Sequence, residues 1–173
     1  MVRLNALDTG LTKDELAAVI GPHLAGISIG KAETVWDLHH IDNIIGPLEA
    51  AAGLPPGQIK IVPWIENARA VLTAYQLATA SPRIEAIAFG AEDYTDDMGV
   101  QRTDAGEEIY FARATVAVAA RAARVGSLDT PFVGFRDPEG FCQDIEISRR
   151  LGYTGRFAIH PSQIEIINEM FSP

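Results

Sequence analysis

Short apolar runs alternate with helical patterns along the whole of this 173-residue chain, and that alternation restricts the fold more than any other feature. Apolar runs at residues 2–6, 26–29, 59–65, 84–89, 132–135 and 156–159 read as strands. Helical patterns follow each of them, at 13–24, 35–48, 68–80, 107–124, 138–151 and 162–171. In the second of these, Val35, Leu38, Ile41, Ile44, Ile45 and Leu48 fall on one helical face. Asp104 with Glu107 supplies a D-x-x-E start signal for the fourth helix. The two prolines at 53–57 mark a loop.

Six strand–helix units in sequence imply a parallel sheet, because each crossover helix returns the chain to the same end. The strands are near-continuous apolar runs, which fits burial on both faces. Six units in 173 residues is about 29 residues each, so eight units would need about 230, close to a (β/α)8 barrel. The expected fold class is therefore α/β, a TIM-type (β/α) barrel with about six of its eight units, forming a single partial domain over 1–173. An open doubly wound sheet is the alternative. No G-x-G-x-x-G follows any strand, which weakens a dinucleotide fold.

Charge and composition narrow the partners. The net charge of -9 argues against general nucleic-acid binding, which needs a basic surface. It leaves room for an anionic small molecule held by local arginines. Cys142 is the one cysteine, so no intrachain disulfide forms, and it reads as a small packing residue. No secretory pattern and no apolar stretch near 20 residues occurs, so a cytoplasmic protein with no membrane partner is expected.

In α/β folds chemistry collects at the carboxyl ends of the strands. Glu66 closes the third strand, reading from Ile59, and Asp93 closes the fourth, reading from Ile84. Neighbouring strands lie ~4.8 Å apart, so two carboxylates there repel unless a positive group stands between them. Magnesium does this with one or two carboxylates, keeping other positions for water or substrate oxygen. The alternative is that each acid merely stabilises the helix after it. Gly90, just before the acids, lets backbone amides approach a ligand closely. Arg3 and Lys31 are candidate carboxylate holders, arginine bidentately. His160 reads as a packing or hydrogen-bonding residue. His39 and His40, adjacent on a helix, diverge and lack metal-ligand spacing.

Five motifs carry a resemblance: Val2-Arg-Leu-Asn5, Pro63-Trp-Ile-Glu-Asn-Ala-Arg69, Phe89-Gly-Ala-Glu-Asp-Tyr94, Arg102-Thr103 and Ile159-His-Pro-Ser-Gln163. Together they resemble the citrate lyase beta-subunit-like branch of the HpcH/HpaI aldolase superfamily, in the family's order and over nearly the whole chain. The resemblance implies a TIM-type barrel acting as a carbon–carbon lyase on a CoA thioester such as citryl-, malyl- or citramalyl-CoA. It implies Mg²⁺ held by Glu66 and Asp93. It implies a catalytic and substrate-binding Arg3 at the 2-oxo-acid end, with the backbone of Gly90, Ala91 and Glu92 on the same end.

Two departures stand out. Asn67 replaces a usual threonine, and Ser28-Ile-Gly30-Lys31 replaces a usual Leu-Pro-Lys. The family barrel also has two more units before the segment matching Val2 and an extension beyond the segment ending at Pro173. A chain lacking them is expected to be incomplete, with open sheet edges that favour a homo-oligomer. Three functions follow: a CoA-ester lyase, an inactive truncated paralogue that still binds metal or 2-oxo acid, or a CoA-independent 2-oxo-acid aldolase.

Overall fold

A computed structural model describes residues 1–172. Six strands form one parallel sheet in sequence order: β1 (Val2–Leu4), β2 (Gly26–Ile29), β3 (Lys60–Ile65), β4 (Ala86–Phe89), β5 (Gly126–Asp129) and β6 (Gly155–Arg156). Each strand pairs only with its neighbours in the chain, so β1 and β6 are edges and the barrel is incomplete. The helices are α1 (Thr12–Val19), α2 (Val35–Ala51), α3 (Ala68–Leu72), α4 (Ala74–Ala78), α5 (Ala91–Asp97), α6 (Glu107–Ala123), α7 (Pro138–Leu151) and α8 (Ser162–Phe171). No described helix is long and apolar enough to cross a membrane.

The period-two alternation of the strands sorts their side chains into two layers. Ile27, Ile29, Ile61, Ile65, Ile87 and Phe89 join Leu16, Leu38, Ile45, Leu77 and Val116 in the main core between sheet and helices. The other face carries a separate inner cluster of Val62, Trp64, Ala86 and Ala88, with Leu128 and Phe157 packed on it. Burial on both faces explains why the strands read as continuous apolar runs.

Three local expectations are corrected. The apolar run at 132–135 is not a strand; β5 lies at Gly126–Asp129, closer to α6. That strand alternates, with Ser127 and Asp129 buried, because a buried arginine on α6 supplies Asp129 with a partner. The helical pattern at 68–80 breaks at Thr73, whose hydroxyl donates to the Arg69 carbonyl at 2.9 Å, competing with the helical ladder. Asp104 does not cap α6; its N-cap is Gly106 at φ 69, and the reciprocal contacts run between Thr103 and Glu108.

Two buried charge clusters brace the sheet. At its amino-terminal end the Arg83 guanidinium pairs with both oxygens of Glu49 at 2.7 Å, and Glu49 also accepts from the Ile59 amide. Toward the carboxyl end Arg113 donates to Asp129 at 2.8 Å and to Asp144 at 2.9 Å, while Arg156 pairs with Asp144 and donates to the Thr130 carbonyl at 2.7 Å. Burial alone would push Asp144 up; the charges of Arg156 and Arg113 outweigh it and hold its carboxyl below the ordinary value.

Candidate active site

Glu66 follows β3 at the carboxyl end of the sheet and is 4% exposed. Its Oε1 accepts the main-chain amide of Lys31 at 2.6 Å. Lys31 follows β2 and holds φ 54, a left-handed conformation uncommon outside glycine. The role Lys31 takes here is thus through its backbone; its side chain is exposed.

Glycines make the space that Glu66 occupies. A Cβ on Gly30 would stand 2.7 Å from Glu66 Oε1 and 3.6 Å from Arg3 Nη2. A Cβ on Gly90 would stand 2.9 Å from Glu66 Cβ and 3.0 Å from Oε2. The carboxylate is therefore wedged between the ends of β2 and β4, at positions only glycine leaves open.

Asp93 does not end a strand. β4 stops at Phe89, Gly90 is the N-cap, and Asp93 sits exposed in the first turn of α5. It is still close enough for its charge to act on Glu66. Burial raises the Glu66 carboxyl above its ordinary value and the negative charge of Asp93 adds to that; the Lys31 amide and the charges of Arg3 and Lys31 act the other way. An anion in that position is short of positive charge.

Arg3 lies on β1, in register with Ser28, and its guanidinium sits over the Trp64 ring, 4.8 Å from the centroid. No described carboxylate forms an ion pair with it. Of the 90–92 backbone, the Gly90 amide donates to the Ile65 carbonyl at 3.0 Å and the Ala91 amide to Thr130 Oγ1 at 3.1 Å. Both are engaged within the protein. The Glu92 side chain turns toward Arg102, 3.6 Å from its Nε, and lines a cavity of about 680 Å³ shared with Phe132, Asp144 and Arg156.

Among the described residues no group of three or more acidic, histidine or cysteine side chains gathers as a metal site. The acids that could hold an ion there are two carboxylates, Glu66 and Asp93, the first buried and only partly relieved by the Lys31 amide and the Arg3 and Lys31 charges. That fits magnesium, which takes one or two protein carboxylates and fills its remaining positions with water and substrate oxygen. His39 and His40 are both on the α2 surface, and His160 is exposed and stacked on Phe135 at 5.0 Å. Cys142 is half-buried.

Sequence reasoning missed Trp64, which lies with Glu66 against Gly90, and Thr130, which holds the Ala91 amide. Trp64 shares the inward parity of Glu66 two residues on, a signal that was present. Thr130 carried none, because its partner is 39 residues away.

Comparison with known proteins shows which family the chain resembles. The sequence model described as HpcH/HpaI aldolase/citrate lyase matches residues 1–161. The citrate lyase subunit beta of Leuconostoc mesenteroides subsp. cremoris is 36% identical over 173 residues, covering 100% of this chain and 57% of that protein. The L-malyl-CoA/beta-methylmalyl-CoA lyase of Cereibacter sphaeroides is 32% identical over 193 residues, covering 99% of this chain and 60% of that one. The chain thus spans well under two thirds of these relatives' length. The solved structure of the citrate lyase beta subunit complexed with oxaloacetate and magnesium from M. tuberculosis shares the fold with a TM-score of 0.78 at 23% identity, over 99% of this chain and 73% of that one.

Proposed function

The chain belongs to the HpcH/HpaI aldolase/citrate lyase family, and from that premise we propose that the rim of its sheet is the 2-oxo-acid end of a carbon–carbon lyase site. The substrate class is a CoA thioester of a hydroxy acid, of the citryl-, malyl- or citramalyl-CoA kind, giving a 2-oxo acid and an acyl-CoA. The names of the relatives support this class. The observation that carries it is a buried Glu66 whose carboxyl stays raised although the Lys31 amide and the Arg3 and Lys31 charges partly offset burial, beside an Arg3 that makes no ion pair among the described residues.

The chemistry asks for three things. The hydroxyl of the substrate loses its proton, the bond to the α-carbon of the thioester breaks, and that carbon takes up a proton. Negative charge moves between oxygens during the cleavage, so fixed positive groups at those oxygens lower the barrier. Arg3 neutralises the carboxylate of the oxo acid and fixes its plane through paired N–H donors. Glu66 and Asp93 would hold Mg²⁺, which supplies Lewis-acid polarisation of the oxo-acid oxygen when bound. The first turn of α5 adds the positive end of its backbone beside Asp93. Residues 1–173 act as one domain in this reading, and the open edges at β1 and β6 favour self-association.

Calorimetric titration of Mg²⁺ with oxaloacetate or pyruvate tests the site, alongside the Glu66→Gln, Asp93→Asn double variant. Binding by the parent that vanishes in the variant supports it; equal binding by both sinks it. Turnover of citramalyl-CoA or malyl-CoA, against free 4-hydroxy-2-oxo acids, then separates a CoA-ester lyase from a CoA-independent aldolase and from a binding protein.

A further inference from the structure

We propose that Trp64 is a positioning residue: its indole face holds the Arg3 guanidinium in place of a counter-anion, leaving the guanidinium N–H groups free for a ligand's carboxylate. The inference deepens the proposed 2-oxo-acid site and rests on that reading for its ligand.

An arginine that is to bind an incoming carboxylate has two opposed requirements. It must be held in place, and it must not be held by another carboxylate, which would occupy its donors. The buried arginines of this chain show the ordinary solution. Arg83 is held by Glu49 and Asp42, and Arg113 by Asp129 and Asp144. Arg3 is different. Among the described residues its guanidinium makes neither an ion pair nor a hydrogen bond; it stands over the Trp64 ring, 4.8 Å from the centroid, with Nη2 beside Gly30 and its charge felt by Glu66. A cation over an aromatic face is attracted by the ring quadrupole while its N–H edges stay open.

Trp64 is built to serve as a fixed platform. It is 4% exposed and stands in the inner face of the sheet, where the facing residues Ala86, Ala88 and Gly90 are small enough to admit an indole. A Cβ on Gly90 would lie 3.4 Å from Trp64 Cε3, so the ring runs directly under the glycine that also makes room for Glu66. Phe157 stacks on it, with centroids 4.5 Å apart and 28° between planes. Trp64 on β3 therefore touches one residue from β1 and another just after β6, the two edge strands. Its buried Nε1 finds no acceptor among the described residues. What the ring contributes is its faces, and a phenylalanine would keep a face without the N–H.

Two measurements on the full chain test this. In the ligand-free protein, the Arg3 Nε–Hε resonance, assigned by its loss in Arg3→Lys, should be shifted upfield by ring current. The shift should persist in part in Trp64→Phe and vanish in Trp64→Leu. With Mg²⁺ present, Trp64→Leu should weaken oxaloacetate binding by about tenfold and Trp64→Phe by about threefold or less. Affinity for Mg²⁺ alone should stay unchanged in both. An Arg3 resonance that does not respond to Trp64→Leu overturns the inference. So does a Trp64→Leu variant that loses Mg²⁺ and oxaloacetate affinity together, which marks a packing role. Failure of the parent chain to bind oxaloacetate would sink the proposed function, while the resonance of Arg3 would still decide the role of Trp64.

Discussion

The main-chain amide of Lys31 donates a 2.6 Å hydrogen bond to Oε1 of Glu66, tying the end of β2 to the end of β3 across 35 residues. Among the described residues it is the one neutral donor aimed at a carboxylate that burial otherwise penalises. Because the folded-state pKa of Glu66 is raised above its unfolded value, its contribution to stability is fully present below the unfolded value and is lost as pH rises through the folded one. Glu66→Gln should therefore flatten that fall and make the metal-free protein more stable at neutral pH. Added Mg²⁺ should stabilise the parent and not the variant. Thermal melts between pH 4 and 8, with and without Mg²⁺, check both signs; a parent curve that rises across this range through Glu66 contradicts the assignment.

Gly30 has no room for a side chain. A Cβ there would meet Glu66 Oε1 at 2.7 Å, so Gly30→Ala should push the carboxylate off the Lys31 amide. Overpacking of this kind costs about 1–3 kcal/mol, and binding of Mg²⁺ with oxaloacetate should fall at least tenfold. Urea unfolding and titration read the two effects separately. Unchanged affinity would show that Glu66 is not held where binding needs it.

Asp129 is fully buried and accepts from Arg113, Ser148 and the Thr130 amide. Asp129→Ala leaves the Arg113 charge buried beside a single remaining carboxylate, Asp144. Breaking a buried pair from one side costs about 3–5 kcal/mol, so the urea midpoint should drop sharply. Ala91 should also lose amide-exchange protection, since Thr130 holds its N–H. Protection unchanged at Ala91 would separate this network from the site.

Glu108 joins the 102–103 segment to the first turn of α6. Burial acts to raise its carboxyl, but hydrogen bonds from the Thr103 amide and hydroxyl and from Arg102 hold it down at about 2. A depressed pKa contributes stability above the unfolded value near 4.5 that is lost as pH falls toward about 2. Glu108→Gln should cost about 1–2 kcal/mol at pH 7 and nothing near pH 2. Chemical denaturation at the two pH values measures the difference; an equal loss at both would point to packing rather than charge.

Much of this was legible one residue at a time. The six units, the parallel sense and the placement of Glu66 just past a strand all follow from periodicity and connection rules, and the structure agrees. The misreadings share a cause. Residues 132–135 are apolar and local pattern favours a strand, yet Gly126–Asp129 pairs instead, with Ala86 opposite Gly126, because Asp129 has Arg113 as a partner 16 residues away. Asp104 stands at capping distance from Glu107, yet Thr103 and Glu108 take that place, since Gly106 turns the chain at positive φ before the helix begins.

Local pattern already dictates that the chain alternates strand and helix, that its strands are buried on both faces, and that acids follow consecutive strands. These are short-range properties, set by side-chain period and by turn residues within a few positions. The folded arrangement alone buries Glu66 against the Lys31 amide, lays Arg3 over Trp64, and closes the charges of Arg113, Asp129, Asp144 and Arg156 on one another. Such contacts join residues tens of positions apart, and their energies depend on desolvation and distance, which exist only once the sheet has brought its strand ends together.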